Sequence, residues 1–366
     1  MEKKMRTGIT TGTCAAGATK AAILAWAGEV SKQVLVTSPQ GKSIAVTIDS
    51  CEPLANGGRA AVIKDSGDDP DVTNGTTLIA EVEIRKDIGI LLKGGFGVGT
   101  VTKPGLSVPV GQPAINPGPR KMIIKAVEDT LPKGYGAIVT ISIPDGERLA
   151  KRTLNPTLGI MGGLSIIGTT GIVEPMSEES FKNSLSPQIN MVKALGYDQV
   201  VFAPGKIGQD IAIHRYGLPA ETVIQTSNFI GHMLESAVRY EMKKVLLFGH
   251  LGKLVKVAAG IFHTHNRMAD GRFETLAAYL AAEGAPQEAI LAILECKTTE
   301  AAMPIIAQYK LQSVYNTLAQ RASIRSTGYV FGDIIVGTVI VTMEGDILGL
   351  DNTAREIGGS LGWNIR

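Results

Sequence analysis

Apolar residues recur along this chain in two rhythms, and the change between them falls after Asn155. In the first part, Lys32 to Thr37 and Ser43 to Asp49 alternate apolar and polar positions around Ser38-Pro39-Gln40-Gly41, which predicts a β-hairpin. Further strands are expected at Arg59 to Lys64, Thr77 to Ile84 and Ala137 to Ile143. An alanine-rich helix is expected from Cys14 to Ala27, opened by Thr11 or Thr13 as N-cap and closed by Gly28. A second helix is predicted from Pro119, near its first position, to Leu131. Residues 1–150 therefore read as an α+β domain.

Beyond Asn155, four short apolar runs each lead through a turn into a helical pattern: Leu164 to Ile167, Gln199 to Ala203, Thr222 to Gln225 and Lys244 to Phe248. That order predicts an α/β domain with a small parallel sheet of about four strands over residues 151–330. A helical extension follows from about Phe273 to Gln320. A last strand pair, Asp333 to Met343 and Asp346 to Leu350, turns at Glu344-Gly345. Residues 331–366 are expected to return to the sheet of the first domain.

Charge narrows the function classes. With 36 basic and 34 acidic residues in 366, the net charge is only +2, which argues against a broad nucleic-acid or membrane-surface footprint. Three scattered cysteines, Cys14, Cys51 and Cys296, fit neither a disulfide framework nor a CxxC metal site, so a cytoplasmic location is expected. The run Ala21 to Ala27 is too short to span a bilayer, and no signal peptide is expected.

In open parallel sheets, ligands bind outside the carboxyl ends of the strands. The corresponding loops are Gly168-Thr169-Thr170-Gly171, Pro204-Gly205-Lys206, Thr226-Ser227-Asn228 and Gly249-His250-Leu251-Gly252-Lys253, all small or polar. Lys253, Lys256, Gly260, His263 and Arg267 are spaced to share one helix face, a basic stripe suited to carboxylates or equally to solvent. His250, at a strand end, is a candidate for acid/base work or for capping. His263 and His265, two apart on a helix, would point in different directions, so no protein metal site is predicted. Lys64 to Asp71 packs four carboxylates into a turn without EF-hand spacing. Gly94 to Thr100 is glycine-rich but does not satisfy GxGxxG, and Asn116 to Arg120 places Arg120 in the first turn of a helix.

Seven stretches taken together resemble the CbiD family of cobalt-precorrin-5B C-1 methyltransferases: RTGITTGTCAAGATKAA (6–22), KDSGDDPDVTNG (64–75), GGFGVGTVTKPGL (94–106), VGQPAINPGPRKMI (110–123), TLNPTLGIMGGLSIIGTTGIVEPMS (153–177), SNFIG (227–231) and GHLGKLVKVAAGIFHTH (249–265). His263 departs from the less bulky or amide residues associated with that position.

The resemblance implies S-adenosylmethionine as cosubstrate, a tetrapyrrole substrate, no nucleic-acid or membrane partner, and a two-domain chain that could form a homo-oligomer. On this basis the donor is expected over Gly168, Thr169, Thr170, Gly171, Pro204, Gly205, Thr226, Ser227, Asn228 and Gly249. The macrocycle is expected against Thr10, Thr11, Thr13, Gly97, Arg120, Lys253, Lys256 and His263, in a cleft between the domains, with His250 as the catalytic candidate. Two rival readings are an anion-binding phosphotransferase using the glycine-rich loop and the acidic cluster with magnesium, and a non-catalytic corrinoid carrier using His250 or His263 as cobalt ligand.

Overall fold

The computed structural model describes residues 5–86 and 89–365. The chain divides into two compact units, Met1–Glu178 and Glu179–Arg366.

In the first unit, helix α1 (Thr11–Trp26) is buried nearly all round because its surface is built from alanine, glycine and threonine. Such small side chains let neighbours approach closely. A Cβ at Gly58 would stand 1.9 Å from the Ala22 carbonyl, and one at Gly17 would stand 2.6 Å from Val46 Cγ1. The helix is capped by Thr10, one residue before the expected Thr11, with Thr10 Oγ1 accepting from the Thr13 amide. Gly28 (φ +85°) closes it as expected, its N–H bonding Ala25 O while Glu29 N–H bonds Leu24 O.

The predicted hairpin forms from β1 (Gln33–Thr37) and β2 (Ser43–Thr47). A five-stranded sheet contains β3 (Ser50–Leu54), β4 (Gly57–Ile63), β5 (Thr77–Lys86), β6 (Ile90–Gly94) and β7 (Tyr135–Ser142) in the order β3-β4-β5-β7-β6. All neighbours are antiparallel except β6 and β7. Helix α2 (Pro117–Glu128) starts two residues before Pro119, with Asn116 at its N-cap position.

Leu164 to Ile167 does not join the parallel sheet. It lies in the first unit, where Val98 and Leu164, and Ile115 and Ile166, form parallel bridges, and where Leu164 and Ile166 enter the same core as α1. A four-residue apolar run carries no information about which sheet receives it, and here burial of alternate residues against the first core decides.

The second unit carries β8 (Gln199–Ala203), β9 (Val223–Gln225), β10 (Lys244–His250), β11 (Ile335–Val341) and β12 (Ile347–Leu350), ordered β9-β8-β10-β11-β12. The first four are mutually parallel and β12 is antiparallel. Four parallel strands were expected, but the fourth is the terminal strand β11, which pairs with β10 and does not return to the first unit's sheet. Its core-facing run, Val336 to Val341, is buried throughout, as a parallel strand covered on both faces must be. Helix α3 (Lys206–Asp210) follows β8, α4 (Ile230–Arg239) follows β9, and α5 (Leu251–Ala258) follows β10. The helical extension comprises α6 (Arg272–Ala282), α7 (Gln287–Leu294), α8 (Thr299–Gln308) and α9 (Val314–Tyr329), and α10 (Asn352–Ser360) ends the fold. No helix among the described residues is long and apolar enough to cross a membrane.

Candidate functional site at the strand ends

In the second unit, the loops after β8, β9 and β10 converge. The Thr226 amide donates to Ala203 O (2.9 Å), tying the ends of β9 and β8 together, and a Cβ at Gly249 would come within 2.9 Å of the Pro204 ring. Gly205 has open space around it. Ser227 takes a left-handed backbone (φ +53°), costly for a side-chain-bearing residue, and the turn it makes sends Asn228 toward α5. There Lys253 Nζ donates to Asn228 Oδ1 at 2.6 Å and to Thr264 O at 3.4 Å.

Both acceptors are neutral, so half-buried Lys253 carries a charge with no carboxylate in contact among the described residues. Burial pushes its pKa below the ordinary lysine value, and the nearby cations Lys256 and Arg272 push the same way. The Thr226 hydroxyl is fully buried without a hydrogen-bond partner.

His250 caps the start of α5 by position, its side chain making no cap hydrogen bond. Instead its Nδ1 lies 3.2 Å from Thr342 O. A carbonyl can only accept, so the neutral ring carries its proton on Nδ1 and leaves Nε2 as a lone pair, buried and unpartnered. Burial lowers the imidazole pKa, opposed by the Thr342 carbonyl and by Glu300 and Glu344.

The basic stripe dissolves beyond α5. Gly260 (φ +86°) ends the helix, with Gly260 N–H bonding Val257 O and Ile261 N–H bonding Lys256 O. His263 and Arg267 therefore lie off the helix, and His263 bridges Phe229, with ring centroids 5.1 Å apart. Lys256 is 0% exposed, its ammonium donating to Asn266 Oδ1 (2.7 Å), Ala269 O (2.9 Å) and Thr264 O (3.3 Å). It braces the 264–270 segment and does not face a ligand. Thr264, whose carbonyl takes both lysines, was missed by sequence reasoning; a backbone acceptor leaves no signature in a side-chain pattern.

In the first unit, Gly168 to Gly171 wraps the start of α1. Thr11 Oγ1 accepts from Ile167 N (2.8 Å) and donates to Ile167 O (3.2 Å), and Thr13 Oγ1 donates to Gly171 O (2.6 Å). Thr10, Thr11 and Thr13 are buried staples for that loop, so their hydroxyls are not free for a substrate. The exposed part of the loop is Thr169 and Thr170, with Thr169 O held by Gln40 Nε2 at 2.7 Å. Arg120 lies nearby in sequence to Gly118, whose Cβ position is 3.0 Å from Gly168 O.

Gly97 (φ +72°) is buried, and a Cβ there would meet Ile143 O at 1.9 Å. This glycine serves backbone packing, not ligand approach. Two of the four carboxylates of the acidic turn are paired with cations: buried Lys64 donates to Ser66 Oγ (2.5 Å) and Asp71 Oδ2 (2.7 Å), while Arg6 pairs with Asp65. Among the described residues, no group of three or more His, Cys, Asp or Glu is placed to hold a metal ion.

Residues 1–175 match the profile of the family described as CbiD, and residues 263–352 match that of the CbiD C-terminal domain. A protein of Moorella thermoacetica, named cobalt-precorrin-5B C(1)-methyltransferase, is 52% identical over 367 residues, covering 100% of both chains. The chain belongs to the CbiD family. A relative with the same name from Desulfitobacterium hafniense is 46% identical, covering 96% of this chain and 92% of its own. A crystal structure of the cobalamin biosynthesis protein CbiD from Archaeoglobus fulgidus is 31% identical, covering 72% of this chain and 83% of its own, with a TM-score of 0.39. In this CbiD-family chain, Asn228, His250 and Lys253 fall between the two matched profile segments.

Proposed function

We propose that this chain transfers a methyl group from S-adenosylmethionine to C-1 of cobalt-precorrin-5B, a step of cobalamin biosynthesis carried out in the cytoplasm. The names of relatives that match from end to end support the reaction. The observation that carries the site is Lys253, a half-buried cation held against neutral oxygens beside three convergent strand-end loops. A carboxylate of the macrocycle supplies the missing partner, in a charge-assisted hydrogen bond.

The donor's sulfonium already carries the activation, so positioning dominates. The C–S bond breaks as the ring carbon contributes the electron pair of the new C–C bond, and the donor leaves as a neutral thioether. The positive charge passes to the ring, which regains neutrality by losing a proton. Pro204, Gly205, Thr226, Ser227, Asn228 and Gly249 form the donor's bed. His250 Nε2, with its tautomer fixed by Thr342, is the base that takes the proton.

The phosphotransferase rival loses its parts. The acidic turn is already engaged by Lys64 and Arg6, and the glycine-rich loop is packed on the Ile143 backbone, which leaves a phosphotransferase without a cradle. A carrier role for His250 would leave the bound corrinoid unmethylated.

Incubation with cobalt-precorrin-5B and methyl-labelled S-adenosylmethionine tests the reaction. Mass analysis is expected to show one labelled methyl on the macrocycle. Recovery of bound but unmethylated corrinoid would return the carrier reading. Unchanged affinity for both ligands after alanine replacement of Asn228 and Lys253 would show the pocket to be misplaced.

A further inference from the structure

The end of α5 far from His250 borders a different feature. Gly260, Phe262 and the last turns of α9 border an open cleft of about 560 Å³. On one side Phe262 and Tyr329 pack with ring centroids 4.2 Å apart and planes 36° from parallel. Their placement is enforced. Tyr329 Oη donates to Glu235 Oε1 (3.0 Å), and the bare backbone of Gly231 admits both rings, since a Cβ there would stand 2.8 Å from Tyr329 Oη and 3.0 Å from Phe262 Cβ.

Arg321 and Arg325 line the same cleft, four residues apart and hence on one face of α9. Arg321 is oriented by donating from Nε to Tyr279 Oη at 2.8 Å. Among the described residues, no carboxylate lines the cleft. Neither guanidinium forms an ion pair among the described residues, so two planar forks face one space without an anion.

We infer that this cleft binds a planar anion of mononucleotide size, its ring against Phe262 and Tyr329 and its phosphate held by Arg321 and Arg325. Aromatic faces select a flat conjugated body, and guanidinium forks select a phosphate or carboxylate bidentately. The volume sits in the lower half of the roughly 300–1,000 Å³ range of small-ligand clefts, which suits a mononucleotide. Gly260, on the cleft, lies about 15 Å along α5 from His250 at the strand ends.

Isothermal titration of the full chain with AMP tests this, with adenosine and ribose 5-phosphate as its two halves, alone and with saturating S-adenosylhomocysteine. AMP is expected to bind saturably at one site, with each half at least about tenfold weaker. Arg325→Ala and Ile324→Glu, both at exposed positions, are expected to weaken AMP by about tenfold or more while the melting temperature holds. Saturating S-adenosylhomocysteine should leave AMP affinity unchanged. Absence of saturable AMP binding, indifference to both substitutions, or displacement by S-adenosylhomocysteine would overturn the inference.

Discussion

Lys253 and Lys256 sit three residues apart on one helix, and their different fates show what a residue's surroundings decide. Both look alike in sequence. Lys256 is saturated by three oxygens and sealed, whereas Lys253 keeps an uncompensated charge at the strand ends. His250 has the more testable ionisation. Burial holds its folded pKa below the ordinary value of 6.5, so the unfolded chain binds the proton more readily. The stability it contributes is complete above pH 6.5 and is lost as pH falls through the depressed folded pKa. His232, also lowered by burial, acts in the same direction. His250→Gln should therefore flatten, without abolishing, the acid-side fall in melting temperature. It should also lower kcat at neutral pH with little change in KM; an unaltered kcat would remove His250 from proton transfer. At Gly97, where a Cβ meets Ile143 O at 1.9 Å in a left-handed backbone, Gly97→Ala is expected to destabilise by roughly 2–3 kcal/mol in a denaturant titration.

At the scale of elements, the long signals were legible and the short ones were not. The hairpin, three of the five strands of the first sheet, α1 and three of the four parallel strands follow from periodicity alone, because each buries a regular face, whereas Ser50–Leu54 and Ile90–Gly94 were not anticipated. Leu164 to Ile167 misled because a short apolar run fits any core, and β11 was misplaced because partner choice is a tertiary matter. The stripe to Arg267 failed at Gly260, a stop signal present in the sequence but counted there as one position of a continuous helix face. Its left-handed φ has a measurable cost: Gly260→Ala is expected to lower stability by about 1 kcal/mol, shifting the denaturant midpoint without changing the slope. The threonines at the start of α1 were legible as a cap, but their engagement with Ile167 and Gly171 depends on pairing across more than 150 residues.

At the scale of the whole chain, each unit owns its core, the first around α1 and its sheet, the second around β8, β10, β11 and α10. The family was legible from its long motifs, while individual ligand contacts were not, because glycines and threonines that suit ligand approach suit tight packing equally well. The account places the reaction's recognition of its many-carboxylate substrate on Lys253. The most direct test is steady-state kinetics of Lys253→Met with cobalt-precorrin-5B and S-adenosylmethionine. A rise in the macrocycle's KM of roughly ten- to a hundredfold, with the fold and the donor's KM retained, is the expected result. Wild-type KM for the macrocycle in that variant would contradict the account.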